Sequence, residues 1–306
     1  MNTANSPTPA IPAAAMADEL RTRSRARSAA IRHRYMTEEL QQQFIIARFM
    51  DRVFTIMPDD WMIKGGYRQL VAMGFARYST DGDLQAINTP RLADATDQLI
   101  AAARYDLGDH LRYTHVGLTE FDNISGAAKI NFVVSFVTGQ HLNELEIDVS
   151  VVHRAVTEPV EVEPHDPIGF PELERPKHYL LYPTENQIAD KTAAILETTN
   201  GRPSRRYHDL PDLEALARQS PVDGQLLRAA LTGEFAARNI EPPAEFNVPN
   251  QPEWTDGYRT YVEAIPELAN HTIDDALTIV KTLIDPILRS DPVGTWDPQH
   301  LAWRSS

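Results

Sequence analysis

Two aspartates one residue apart, Asp81 and Asp83, follow a stretch in which the apolar run Trp61-Met62-Ile63 is broken at Lys64-Gly65-Gly66. On a strand, residues two apart point to the same face. The two carboxylates then form a hard-oxygen site of the kind that holds Mg²⁺ together with substrate phosphates. Glycine tolerates positive φ and lets a phosphate approach the backbone closely, which makes Gly65 and Gly66 candidates for a phosphate pocket. If Asp81 and Asp83 hold a metal, the chemistry is phosphoryl or nucleotidyl transfer. Ser79-Thr80-Asp81-Gly82-Asp83 also has the composition of a solvated hairpin turn, because Asp-Gly is a strong turn signal. These five residues alone leave both readings open.

Further carboxylates lie in the run 142–152, where Leu145, Ile147 and Val149 alternate with Glu144, Glu146 and Asp148. This is the period-two pattern of a half-buried strand. Two-metal phosphoryl chemistry needs carboxylates shared between ions, and Asp148, with Glu146 second, is the candidate. A solvent-facing edge strand carrying charges against aggregation is the plain alternative. In the helical segment from Thr184, Ile188, Ala189, Thr192, Ile195 and Leu196 form an apolar stripe, with Thr184 placed to cap it. Lys191 sits among these inward positions, where an ammonium needs an anion such as a triphosphate, or must snorkel to water. Asp209 and Asp212 follow, three apart and on one face of a helix start. One can cap the helix while the other orients Lys191, an arginine or an acceptor hydroxyl.

The elements that must position these residues read as follows. Leu40, Phe44, Ile45, Phe49 and Val53 recur at helical spacing from about Thr37, so an amphipathic helix leads into the Trp61 strand. Residues 67 to 77 suit a short buried helix or its exit, and 91 to 104 a second amphipathic helix. Strand-like runs occupy 128–137 and 142–152. Six prolines between 157 and 183 argue for a linker or a wrapped loop. The chain then turns helical at 184–199, 209–219, 222–238 and 272–289, with a proline-rich break at 241–252. At 306 residues the chain can bury a sizeable core, and its lack of cysteine excludes disulfides, zinc-thiolate sites and cysteine nucleophiles. No run is long enough to span a bilayer, and no secretion signal is evident, so a cytoplasmic protein is expected. The formal net charge of -14 argues against a nucleic-acid-coating surface but not against a local basic groove. Arginines cluster in the first 34 residues and again at Arg202, Arg205 and Arg206.

In this order, the motifs resemble those of the AbiEii/AbiGii nucleotidyltransferase toxins, within the DNA polymerase β-like superfamily. The resemblance rests on Lys64-Gly65-Gly66, Arg77 to Asp83, Asp148-Val149-Ser150, Glu185 to Lys191 and Arg206 to Asp212, and it covers about residues 38 to 290. It implies an α+β fold, with a mixed-sheet polymerase β-like domain at 37–160 and a mostly helical domain at 184–306 that closes the active site. A flexible arm is expected at 1–36 and a proline-rich linker at 161–183. The implied activity is Mg²⁺-dependent transfer of a nucleoside monophosphate from an NTP, with tRNA 3′ ends as acceptors and a separately encoded antitoxin as partner. Asp81, Asp83 and Asp148 would hold metal. Lys64, Gly65, Gly66, Arg77, Ser79, Lys191 and Arg206 would bind the nucleotide, and Asp209 and Asp212 would complete the catalytic set with Lys191. Three residues depart from the family pattern: Gly82 would loosen the strand that aligns the aspartates, Tyr67 would crowd the phosphates, and His208 replaces a frequent lysine. The net acidity also fits a member acting on a small molecule, and Gly82 a catalytically impaired nucleotide-binding regulator.

Overall fold

A computed structural model of the chain describes residues 13–33, 36–73, 79–121, 125–152, 154–263, 265, 267–291 and 293–304. The first half contains α1 (Ala13–His33), α2 (Thr37–Ile56), β1 (Trp61–Lys64), α3 (Gly65–Met73), β2 (Gly82–Ala86), α4 (Leu92–Ala102), β3 (Leu111–Glu120), β4 (Ala127–Phe136), β5 (His141–Ser150), β6 (Val160–Val162) and β7 (Tyr179–Leu181). Seven strands form one mixed sheet in the order β3-β4-β5-β2-β1-β7-β6. β2 lies parallel to β5 and antiparallel to β1, while β1 runs parallel to β7.

Alternation drives this sheet. Ile130, Phe132, Val134 and Phe136 on β4, with Leu145, Ile147 and Val149 on β5, are buried on one face. The apolar stripe of α2 covers them together with α4. Acidic residues Glu38 and Glu39 occupy the first turn of α2, where they complement the helix dipole, and Glu39 accepts from the Met36 amide at 2.9 Å.

The second half contains α5 (Thr184–Leu196), β8 (Thr198–Thr199), β9 (Arg202–Pro203), α6 (Asp209–Gln219), β10 (Val222–Asp223), α7 (Gly224–Arg238), α8 (Gln251–Val262), α9 (Ile273–Leu288), β11 (Thr295–Asp297) and β12 (Ala302–Arg304). These helices share a separate core that includes Ile188, Leu213, Trp254, Tyr258, Leu283 and Trp296. The Trp296 indole N–H reaches the Ala217 carbonyl at 2.7 Å, so the last small sheet is tied to α6. Among the described residues, no helix is long and apolar enough to cross a membrane.

Four segments differ from their composition. The expected arm contains α1, which packs on α2 and buries Ala26 and Ala29. Its Asp18 meets His110 at 2.8 Å, and its Glu19 accepts from Thr138 at 2.7 Å. The proline-rich 161–183 segment supplies β7 to the sheet and Ile168, Phe170, Tyr179 and Leu181 to the first core. β3 escapes pattern reading because only Leu111 and Tyr113 at its start are buried, and a bulge between His115 and Gly117 breaks its period. α8 begins inside the expected break, with a proline in its first turn where no amide donor is needed, and buries Trp254, Tyr258 and Val262.

A buried ion cluster fixes α2 to the sheet. Asp109 accepts from Arg48 Nε at 2.8 Å and from Arg52 NH1 and NH2 at 2.8 and 2.7 Å. Burial alone would raise the Asp109 pKa, but the two guanidiniums and the Leu111 amide hold it below the ordinary carboxylate range. Its folded pKa is therefore depressed, so its stabilisation is present above the unfolded value of ~3.9 and lost as pH falls through the folded value. Asp109→Ala leaves two buried guanidiniums without this partner, and a loss of ~3–5 kcal/mol is expected. Urea unfolding at pH 7 measures it, and the difference from wild type should shrink in acid.

Candidate active site

The site begins with a backbone constraint. β1 ends at Lys64, which pairs across the sheet with Asp83, and the chain turns into α3 through Gly65 at φ +64°. The Asp83 side chain lies against Gly65 so closely that a Cβ there would stand 1.8 Å from Oδ2 and 2.6 Å from Cγ. Only glycine fits, for steric space and for backbone angle alike.

Asp83 in turn is the register partner of Asp148 on parallel β5. Asp81 lies immediately before β2, where the buried Ser79 hydroxyl donates to its carbonyl at 3.1 Å and lies 3.3 Å from Oδ1. The Asp-Gly-Asp sequence thus enters a strand in the middle of the sheet and is not a hairpin turn.

Two expectations are corrected here. A Cβ at Gly82 would lie 2.7 Å from Met50 Cε and 2.8 Å from Ile147 Cδ1. The glycine therefore admits α2 and β5 side chains against β2, which pairs in register from Gly82 onward. Tyr67 does not crowd a phosphate pocket. Its ring is buried in the first core, edge-on to His165 at 6.2 Å.

The carboxylates repel one another. Burial is the main cause that pushes Asp83 up to about 7, with Asp81 and Asp148 adding to the rise and Lys64 and Arg206 opposing it. Asp148 is pushed up to about 6, first by burial and then by Asp81 and Glu146, against the pull of Lys129. Its Oδ1 is out of solvent and has no hydrogen-bond partner, the nearest cation being Lys129 at 3.7 Å. Glu146, the second candidate, is instead exposed and held by Lys129.

Among the described residues, no group of three or more His, Asp or Glu side chains is placed so that it could hold a metal ion by itself. Asp83 and Asp148 stand side by side on β2 and β5, Asp81 precedes β2, and the Asp148 Oδ1 is a buried orphan oxygen. This donor set fits a hard divalent ion that keeps positions for phosphate and water.

The helical half completes the site from the other side. Lys191 is 3 % exposed and does not snorkel; its ammonium meets Asp209 Oδ1 at 3.0 Å and Asp212 Oδ2 at 2.6 Å. Both aspartates of the first turn of α6 thus serve Lys191, and the residue at the N-cap is His208. Likewise Thr184 does not cap α5; it accepts from Arg68 at 2.8 Å. Burial would raise Asp209, but Lys191, Arg206 and His208 hold it well below the usual carboxylate range. Arg206 joins the two groups: its Nε donates to Asp209 at 2.6 Å, and its charge acts on Asp83. Lys64 places its ammonium 5.4 Å from the Tyr182 ring centre and lowers Asp83 and Asp148 alike. Gly66 is buried within the first turn of α3. Arg77 lies outside the described residues.

Several positioning groups escaped the sequence reading. Gln42 donates to the carbonyls of Thr80 at 2.9 Å and Glu144 at 3.0 Å, and Gln43 donates to Ser79 at 3.0 Å. The α2 glutamines thereby clamp the entrance to both acidic strands. Gln187 donates to Gly65 O at 3.0 Å, Gln69 to Asp212 O at 2.8 Å and Arg68 to Tyr182 O at 3.0 Å. The only sequence signal was amides placed beside apolar stripes, which is too common to single them out. A separate cavity of about 550 Å³ opens at the β8–β9 hairpin and shares Arg206 with this site.

The mixed sheet thus bears aspartates on adjacent strands and is backed by a helical half. Residues 48–279 match the family described as nucleotidyl transferase AbiEii toxin, type IV toxin–antitoxin system, and the chain belongs to that family. The protein is thus a nucleotidyltransferase toxin of a type IV system, and that family implies an antitoxin partner. Solved structures with a similar fold include JHP933 from Helicobacter pylori, at 14% identity and TM-score 0.47, covering 82% of this chain and 94% of that one. Another is MenT4, a nucleotidyltransferase toxin from Mycobacterium tuberculosis, at 14% identity and TM-score 0.49, covering 85% and 99%. Comparison with curated protein sequences finds no match.

Asp83 and Asp148 have folded pKa values above the unfolded ~3.9, so their contribution to stability is lost as pH rises through about 6 to 7. A bound divalent ion should reverse that loss. Mg²⁺ is expected to raise the melting temperature at pH 8 and to do so much less at pH 5.5, with Asp148→Asn removing most of the effect. Equal shifts at both pH values, or an unchanged shift in the variant, would contradict this assignment.

Proposed function

We propose that this toxin transfers a nucleoside monophosphate from an NTP to the 3′ end of tRNA in a Mg²⁺-dependent reaction in the cytoplasm, blocking translation and growth until its antitoxin intervenes. The observation that carries this reading is the pairing of Asp83 with Asp148 on adjacent parallel strands, beside Gly65 and with an unpartnered Asp148 oxygen.

Asp81, Asp83 and Asp148 are the residues that would hold Mg²⁺, and the chemistry it supplies is neutralisation of the phosphates and a lowered pKa at the attacking hydroxyl. The chain's own groups do the rest. Gly65 leaves the space that the Asp83 carboxylate occupies, Gly66 starts α3 beside it, Lys64 supplies a cation for the donor phosphates, and Ser79 orients Asp81. Arg206 offers a half-exposed guanidinium to phosphate charge, while Asp209 and Asp212 hold the Lys191 ammonium in place. The acceptor 3′ oxygen attacks the α-phosphorus, the bond to the β-phosphate oxygen breaks and pyrophosphate leaves. The hydroxyl proton passes to water, while Asp148 is kept for the ion through its unpartnered Oδ1.

Incubation with labelled NTPs, Mg²⁺ and total tRNA tests the reading. Wild type should label RNA, and Asp81→Ala or Asp83→Asn should lower the rate at least ~100-fold, since several kcal/mol of charge stabilisation is removed. No transfer by wild type, or equal transfer by the variants, would overturn it. Label in a small-molecule fraction would instead favour the acceptor class to which the net charge of -14 points.

A further inference from the structure

The cavity at the β8–β9 hairpin is not the carboxylate site. Its walls include Thr199, Asn200, Arg202, Ser204, Arg205 and Arg206, but none of Lys64, Gly65, Gly66, Asp81, Asp83 or Asp148. Asn200 and Gly201 both have positive φ, of 52° and 73°, as a two-residue hairpin turn of the I′ kind requires. The turn sets Arg202 opposite Thr199 across the ladder.

The charges around the cavity are available to a ligand. Among the described residues, no carboxylate lies in ion-pair range of Arg202. Arg205 meets Glu253 at 3.1 Å, but the two side chains are 79% and 42% exposed, and such a surface pair exchanges readily. Arg206 spends its Nε on Asp209 while remaining half exposed. Glu197, the acid on the wall among the described residues, is paired with Arg238 at 2.9 Å, a guanidinium that also meets Asp190 and Glu234. Three guanidiniums flanked by Thr199, Asn200 and Ser204 thus form a compact positive site on a protein whose net charge is -14.

Guanidinium forks bind phosphate oxygens bidentately, and the neutral side chains can hydrogen-bond phosphate or sugar hydroxyls. Arg206 belongs to both this cavity and the carboxylate site. A polyanion that fills the cavity and continues past Arg206 would present its end to Asp83 and Asp148. We infer that the β8–β9 cavity binds the phosphodiester backbone of a single-stranded RNA acceptor just upstream of its reacting end, with Arg202 and Arg205 as phosphate ligands outside the catalytic centre. The inference rests on the nucleotidyl-transfer reading above, but its test needs no turnover.

Fluorescence anisotropy of a labelled single-stranded RNA oligonucleotide, titrated with the full chain without NTP at a series of KCl concentrations, reads it directly. The doubly substituted Arg202→Ala, Arg205→Ala chain should bind about tenfold more weakly at low salt. Its slope of log affinity against log salt should be shallower by about 0.7 for each phosphate that the missing guanidiniums no longer neutralise. Calorimetric affinity for an Mg²⁺–NTP complex should stay within about twofold of wild type, and an unchanged melting temperature confirms an intact fold. No RNA binding by wild type, or an unaltered affinity and salt slope in the variant, overturns the inference. Loss of NTP affinity in the variant also overturns it, because the cavity would then belong to the donor. A chain that binds RNA through these arginines yet labels no tRNA would sink the catalytic reading alone.

Discussion

The arrangement depends on a missing side chain. Because Gly65 has no Cβ, the Asp83 carboxylate can lie across the turn from β1 into α3, and that turn needs the positive φ that glycine adopts at no cost. α3 then starts at a fixed angle from the sheet edge. From this short helix Arg68 reaches Tyr182 and Thr184, and Gln69 reaches Asp212, while Gln187 returns from α5 to the Gly65 carbonyl. A side chain at 65 would displace Asp83 and tilt α3 together, so the carboxylates and the seam between the two cores are one constraint seen from two sides.

The molecule contains two kinds of buried charge, and they answer to different demands. Around Asp109 every carboxylate oxygen has a guanidinium or amide partner, and the depressed pKa reports a group whose ionised form the fold favours. Around Asp83 and Asp148 the fold does the opposite, setting like charges side by side and leaving one oxygen without a hydrogen bond. Natural proteins concentrate such unsatisfied electrostatics at functional sites. Lys191 belongs to the first kind, since Asp209 and Asp212 both bond it. Those bonds tie α5 to the first turn of α6, and Arg206, bonded to the same Asp209, stands where the satisfied and unsatisfied groups meet.

Much of this was legible in the residues, and the failures have physical causes. Period-two runs on β4 and β5 and the helical stripe of α2 reported their faces because each element has one dry side. The first half of β3 alone touches the core, and β6 and β7 are too short and proline-flanked to show a period, so tertiary pairing creates them. Asp148 and Glu146 share a face of β5 and cannot be told apart by pattern; only the register with β2 puts Asp148 beside Asp83 and leaves Glu146 to Lys129. Gly82 was misread because its cause lies far off in sequence, in Met50 and Ile147. A helical lysine on an apolar stripe signalled a need for an anion, and one of Asp209 and Asp212 was a candidate to orient it; that both bond it, with neither left at the N-cap, follows only from the packing of α5 on α6.

An acidic protein that handles phosphates faces an evident conflict, which distance resolves. At physiological salt the Debye length is ~8 Å, so charges spread over the rest of the surface are largely screened from a bound phosphate. What a phosphate senses is its nearest neighbours, and on the proposed reading those would be Lys64 beside Asp83 and the guanidinium of Arg206. The -14 total therefore does not decide whether an anionic substrate can be held. It bears on the approach, because without a bound cation the three aspartates add to the repulsion that an incoming triphosphate meets. On the proposed reaction, pairing cation with nucleotide before entry would remove that repulsion and would supply the partner that the buried Asp148 oxygen lacks.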